Sequence, residues 1–175
     1  MANPEIPGPA PEYRKILDRG IKNHARYTAF LKRMKKKRGI DADGLFQEAH
    51  EAAFNEIDCR RCGLCCTELG PRVTPRDADR MARRTGEKNF VETHLHQDED
   101  GDWVFKSMPC PFFGFDGDCI IYADRPAACR NYPHLDERGQ RGLILRHSRD
   151  LKHCPAVVLA VEHVISREPG GLSLS

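Results

Sequence analysis

No apolar run in this chain is long enough to cross a membrane. The longest, AVVLAV at 156–161, falls far short of the roughly 20 residues that a spanning helix requires. The opening MANPEIPGPAPEY also lacks the apolar stretch of an export signal, so the sequence reads as a soluble, cytoplasmic protein. Aromatic residues make up only 7% of the chain, while 12 prolines and 14 glycines interrupt nearly every segment. That composition argues against a large, regular, sheet-filled core. Acids are almost missing from 14–38, where eleven Lys or Arg stand beside the single Asp18; the stretch is +10 and the remainder −8. Cysteine is missing from the first 58 residues altogether.

After that point come eight: Cys59, Cys62, Cys65, Cys66, Cys110, Cys119, Cys129 and Cys154. A length of 175 residues with 39% apolar content suits one ordinary domain with a modest core. In a reducing cytosol eight cysteines do not count as four disulfides, and metal ligation becomes their leading use.

Apolar residues at three- and four-residue spacing predict an amphipathic helix from Tyr13 to about Arg38, weakened at Gly20, and a second through GLFQEAHEAAFNEI at 44–57. The two are expected to form a hairpin. VTPRDADRMARRTGE carries the best-marked helix, with Thr74 to cap, Pro75 at the first position, Asp77 near the positive end and Gly86 to terminate. A short helical piece follows at 90–95, then a turn at DEDGD, and the strand-like WVFKSM and CIIY are expected to pair as a hairpin around PCPFFGFDGD. RGLILRH reads as a further strand, and Pro155 opens a last helix through Ile165. The fold class is therefore α+β, mainly helical, with a short β-hairpin and an irregular cysteine-rich centre. Its divisions are a loose tail over 1–12, a basic helical hairpin over 13–57, a cysteine-cluster metal-binding domain over 58–166 and a frayed tail over 167–175.

CRRCGLCC at 59–66 is the densest chemistry in the chain. Cys59, Cys62 and Cys65 are separated by two-residue spacers, which lets one loop present three thiolates to an iron–sulfur cluster while a fourth arrives from afar. Gly63 gives the loop its backbone freedom. The same spacing suits a tetrahedral zinc, so spacing alone leaves the metal open. Adjacent side chains diverge, so Cys66 either serves a second site or replaces Cys65. Two four-ligand sites would use all eight thiols, and Cys110 and Cys154 each precede a proline, as a remote cluster ligand often does. In DRPAACRN, Asp124 is placed to cap and Pro126 to start a helix, so Cys129 falls in a first turn whose dipole favours thiolate. Arg125 and Arg130 flank it, where they would offset thiolate charge and donate to sulfur.

CRRCGLCC, CPFF at 110–113, DGDCIIYADRPAACRNYP at 116–133 and the late HCP at 153–155 together resemble the YkgJ-type cysteine-cluster family, described as a zinc- or iron-chelating domain. The resemblance runs from about Ile57 to Pro155, with Tyr132 where phenylalanine is more usual. It implies metal binding by these cysteines, and many such proteins are labelled iron–sulfur oxidoreductases. A related branch, the flagellin lysine N-methylases, pairs an iron–sulfur cluster with S-adenosylmethionine. The radical form of that chemistry needs Cys-x-x-x-Cys-x-x-Cys; Cys62 and Cys66 have the first spacing, but position 69 is Leu69. There is no Gly-x-Gly-x-x-Gly either.

A four-iron cluster is thus the favoured cofactor and zinc the alternative, with a redox partner protein implied by the first. The 14–38 helix reads as a solvated basic face or as a contact for an acidic partner or nucleic acid. His94, His96, His134 and His153 are substitute ligands of lesser weight, since eight thiols already fill two sites. No Ser-His-Asp order nominates a catalytic nucleophile.

Overall fold

The computed structural model describes residues 10–168. It is mainly helical with one small antiparallel hairpin, the class expected. In chain order the helices are α1 Pro11–Lys22, α2 His24–Lys36, α3 Ala42–Glu56, α4 Cys59–Cys62, α5 Leu64–Glu68, α6 Pro75–Thr85, α7 Phe90–His94, α8 Ala127–Asn131, α9 Gln140–Asp150 and α10 Pro155–Arg167. The strands are β1 Leu95–Gln97 and β2 Trp103–Phe105, and a 3-10 turn covers Tyr122–Asp124. Of the expected loose tail over 1–12 and frayed tail over 167–175, residues 1–9 and 169–175 lie outside the described residues, while helix begins already at Pro11 and α10 runs to Arg167.

The chain forms two compact units. Among the described residues one holds 59–132 and the other 10–58 with 133–168.

In the helical unit α1 lies on α10 and α2 on α9, while α3 packs mainly on α10 and then α9, in place of the expected hairpin with the helix before it. The single helix expected over 13–38 is interrupted at Asn23, whose side-chain amide donates to the Arg19 carbonyl at 3.0 Å. Gly20 has a packing purpose: a Cβ there would stand 2.3 Å from Val158 Cγ2 and 2.7 Å from the Leu151 carbonyl oxygen. Its bare backbone is what lets α1 approach α10. RGLILRH is helix α9 rather than a strand. The inward residues Gln140, Ile144, His147, Ser148 and Leu151 recur at helical spacing, but three of them are polar, so a count of apolar residues hides the period. Most of those polar groups are paired inside: Gln140 Nε2 donates to the carbonyls of His134 and Glu137, leaving its Oε1 to accept from His147 Nε2 at 2.6 Å, while His147 Nδ1 is buried without a partner among the described residues. AVVLAV belongs to α10, which is buried along most of its length.

The cysteine unit has its own core of Val73, Met81, Phe90, Leu95, Phe105, Phe112 and Ile121, against which Cys110 and Cys119 pack. α6 forms as its end signals predict. Thr74 and Asp77 make a reciprocal capping box, and Gly86 closes the helix at φ 75°. The hairpin differs from expectation in its partner: β2 pairs with β1, Leu95 opposite Phe105 and Gln97 opposite Trp103. The physical reason is the turn, where the Asp98 side chain accepts from the backbone N–H of Asp100 and Asp102 and folds 98–102 tightly. CIIY is not a strand; Cys119 keeps one bridge to Phe113, and the chain then turns.

Candidate metal centre

Gly63 divides the CRRCGLCC stretch into two helical turns, α4 with Cys59 and Cys62 and α5 with Cys65 and Cys66. It sits in the left-handed region at φ 62°, and a Cβ on it would stand 2.5 Å from Phe113 Cζ. Both facts require glycine. Cys62 is buried and Cys59 exposed. Cys110 is tied to this stretch by its backbone N–H, which donates to the Cys66 carbonyl at 2.8 Å. The loop from Cys110 returns to Cys119 through a tight turn closed by Gly114 N–H to the Asp118 carbonyl at 2.7 Å. Asp118 accepts from the Cys119 N–H and from the Arg60 guanidinium, so CRRC and Cys119 are clamped together through one carboxylate. That clamp holds the Asp118 carboxyl at about 2, the Arg60 hydrogen bond being the main cause. Cys129 arrives on α8.

These local structures bring five thiols into one electrostatic neighbourhood. Cys129 senses charge on Cys65, Cys110 and Cys119; Cys110 senses Cys119 and Cys65; Cys66 senses Cys65, Cys110 and Cys129. Neighbouring side chains are expected to diverge, yet Cys65 and Cys66 are in thiol–thiol hydrogen-bonding contact. The contact draws the Cys65 thiol down and pushes Cys66 up. Burial pushes Cys110 up to about 11 and Cys129 up to about 12, with the neighbouring thiolates adding to it. Cys129 is therefore not the dipole-activated thiolate of the sequence expectation: burial among other sulfurs outweighs a five-residue helix.

Sulfur donors crowded in this way suit a soft cation such as zinc or a thiolate-bound iron cluster. The donor set fits such a group. The cage is not closed, because among the described residues no three His, Cys, Asp or Glu side chains stand in metal-holding geometry.

Arg125 stacks on Tyr122 with its guanidinium carbon 3.8 Å from the ring centroid, and its charge favours thiolate at Cys119 and Cys129. Arg130 donates to the Arg125 carbonyl at 2.6 Å, so it braces the segment rather than a sulfur. Asp124 does not cap α8; the backbone N–H of Ala127 donates instead to Asp77 of α6. The Thr-x-x-Asp spacing marks Asp77 as part of its own helix cap, and nothing in the sequence signals its reach to Ala127. Cys154 lies in the helical unit, buried at the cap of α10. His94 is bonded to Glu87 at 2.7 Å and His134 to Glu137 at 2.7 Å, while His96 is exposed on β1.

No curated protein and no solved structure matches the chain. A family model does, over residues 58–154, described as "CxxCxxCC: Putative zinc- or iron-chelating domain". With more than half of its length matched and its thiols gathered as above, the chain belongs to the CxxCxxCC zinc- or iron-chelating family.

Proposed function

We propose that this chain binds metal through its cysteine unit and that the group held is an iron–sulfur cluster of the four-iron type, with a redox or modification role. The observation that carries the reading is the convergence of Cys65, Cys66, Cys110, Cys119 and Cys129 from three separate stretches. Cys65, Cys66, Cys110, Cys119 and Cys129 are thiols outside any disulfide. The Cys-x-x-Cys-x-x-Cys spacing favours iron, and Arg125 supplies the positive charge that a thiolate-rich site needs.

A second reading, a structural zinc site without catalysis, has its own support. Cys110 and Cys119 pack against the apolar core, where a tetrahedral ion would staple the hairpin loop to CRRCGLCC. Anaerobic purification with metal analysis and a visible spectrum separates the two. A brown protein bleached by dithionite supports the iron–sulfur reading, and a colourless one holding stoichiometric zinc sinks it.

The same proposal includes an anionic partner, an acidic protein or nucleic acid, for α1 and α2. Arg19 and Lys37 are paired with Glu162 and Glu168, but Arg14, Lys15, Lys22, Lys32 and Lys36 are exposed and carry no such pair among the described residues. Retention on an immobilised polyanion that falls steeply with salt supports it; retention unchanged in a Lys32→Glu/Lys36→Glu variant argues against it.

A further inference from the structure

The helix that delivers Cys129 has almost nothing of its own to hold it. α8 is five residues long and none of them is fully buried, so neither helical cooperativity nor apolar burial fixes its place. Its polar ties to the rest of the unit come chiefly from two residues of α6. Asp77, 2% exposed, spends all its lone pairs: Oδ2 accepts from the Thr74 N–H at 3.1 Å and the Thr74 hydroxyl at 2.7 Å, and Oδ1 from Arg80 Nη2 at 2.6 Å and the Ala127 N–H at 3.1 Å. Arg80 in turn donates from Nε to the Asp124 carbonyl at 3.2 Å and from Nη2 to the Arg125 carbonyl at 2.8 Å. Three bonds from one part-buried ion pair therefore pin residues 124, 125 and 127, immediately before Cys129. Tyr122, Arg125 and Arg130 brace the segment internally, and the exposed Arg84 reaches Asp124 only at 3.6 Å.

We infer that Asp77 and Arg80 are positioning residues for metal binding: through the backbone of 124–127 they set the direction from which Cys129 meets the other thiols. The inference rests on the metal-binding reading above. It assigns a use to a charged pair that lies outside the thiol cluster, and it is specific, because the pair grips backbone groups of the Cys129 segment rather than a ligand side chain.

The test is an anaerobic titration of the reduced full chain with cobalt(II), followed by thiolate-to-cobalt charge-transfer absorption, with zinc(II) competition to obtain affinity. Asp77→Asn offers one oxygen where two are needed, so it must release either Thr74 or the Arg80–Ala127 side. The expected result is a zinc affinity lower by about 10- to 100-fold, the usual cost of losing an outer partner of a ligand. Charge-transfer intensity should drop as one thiolate is lost, and amide exchange at 127–131 should quicken while the β1–β2 hairpin is unchanged. In a Cys129→Ser background the same substitution should shift affinity by less than about threefold, since the ligand it holds is gone. Arg80→Lys keeps the ion pair but loses the fork to two carbonyls, so an intermediate loss is expected, and it carries the test if Asp77→Asn does not fold. Wild-type affinity in both variants, or an equal loss with and without Cys129, overturns the inference while leaving the metal reading intact. A wild-type chain that takes up no cobalt or zinc, and forms no cluster with iron and sulfide under anaerobic reconstitution, overturns the metal reading, and the positioning role with it.

Discussion

Two glycines show how one missing side chain decides packing in each unit. At Gly63 the backbone is left-handed and the space for a Cβ is taken by Phe113. Gly63→Ala therefore meets a conformational cost of about 1–2 kcal/mol before any clash is counted. We expect urea denaturation, read on Trp103 fluorescence in the cysteine unit, to show a loss of at least that size. At Gly20 the effects compete. Alanine improves helix propensity by about 1 kcal/mol, but its Cβ would sit 2.3 Å from Val158 Cγ2 and 2.7 Å from a backbone oxygen that has no rotamer to escape into. Overpacking typically costs about 1–3 kcal/mol, so Gly20→Ala should destabilise the helical unit; a raised melting temperature would show that α1 does not lie on α10 as closely as described.

Among the elements, α9 carries the pH dependence. His147 is fully buried, stacked on Phe46 and bonded to Gln140, and burial holds its imidazole down to about 4 from the ordinary 6.5, with the charges of His134 and Arg146 adding to this. The unfolded chain takes a proton below about 6.5 that the folded chain refuses until about 4, so stability falls as pH falls through that window. A depression of this size corresponds to about 3 kcal/mol. The Asp150 carboxyl on the same helix is pushed up by burial and works in the opposite sense at the acid end. Urea midpoints of wild type and His147→Gln, compared at pH 7 and pH 4.5 by circular dichroism, should show a much shallower decline for the variant; parallel declines would count against His147. The elements also divide by legibility. α6 could be read from its ends, because Thr74, Pro75, Asp77 and Gly86 act within one helix. α9 could not, because its inward Gln140, His147 and Ser148 are acceptable only once His134, Glu137 and Thr28 supply their partners.

For the molecule as a whole, the two units differ in what holds them. The helical unit buries apolar faces of α3 and α10 against each other, whereas the cysteine unit relies on short helices, a three-residue hairpin and thiols in contact with its core. A chelator under reducing conditions should therefore speed amide exchange across 59–132 while α3 and α10 keep their protection; equal loss in both would contradict this division of stability. The sequence by itself determined the mainly helical class, both ends of α6, the start of α10 at Pro155 and the need for glycine at 63, because caps, periodicity and backbone freedom are local chemistry. Only the tertiary structure decided that β2 pairs with β1, that Cys65 and Cys66 face the same neighbourhood, that burial outweighs the helix dipole at Cys129, and that Asp77 reaches 50 residues along the chain to hold Ala127. Each of those depends on which groups lie beside a residue in space, and burial and hydrogen-bond partners are properties of that neighbourhood rather than of neighbours in sequence.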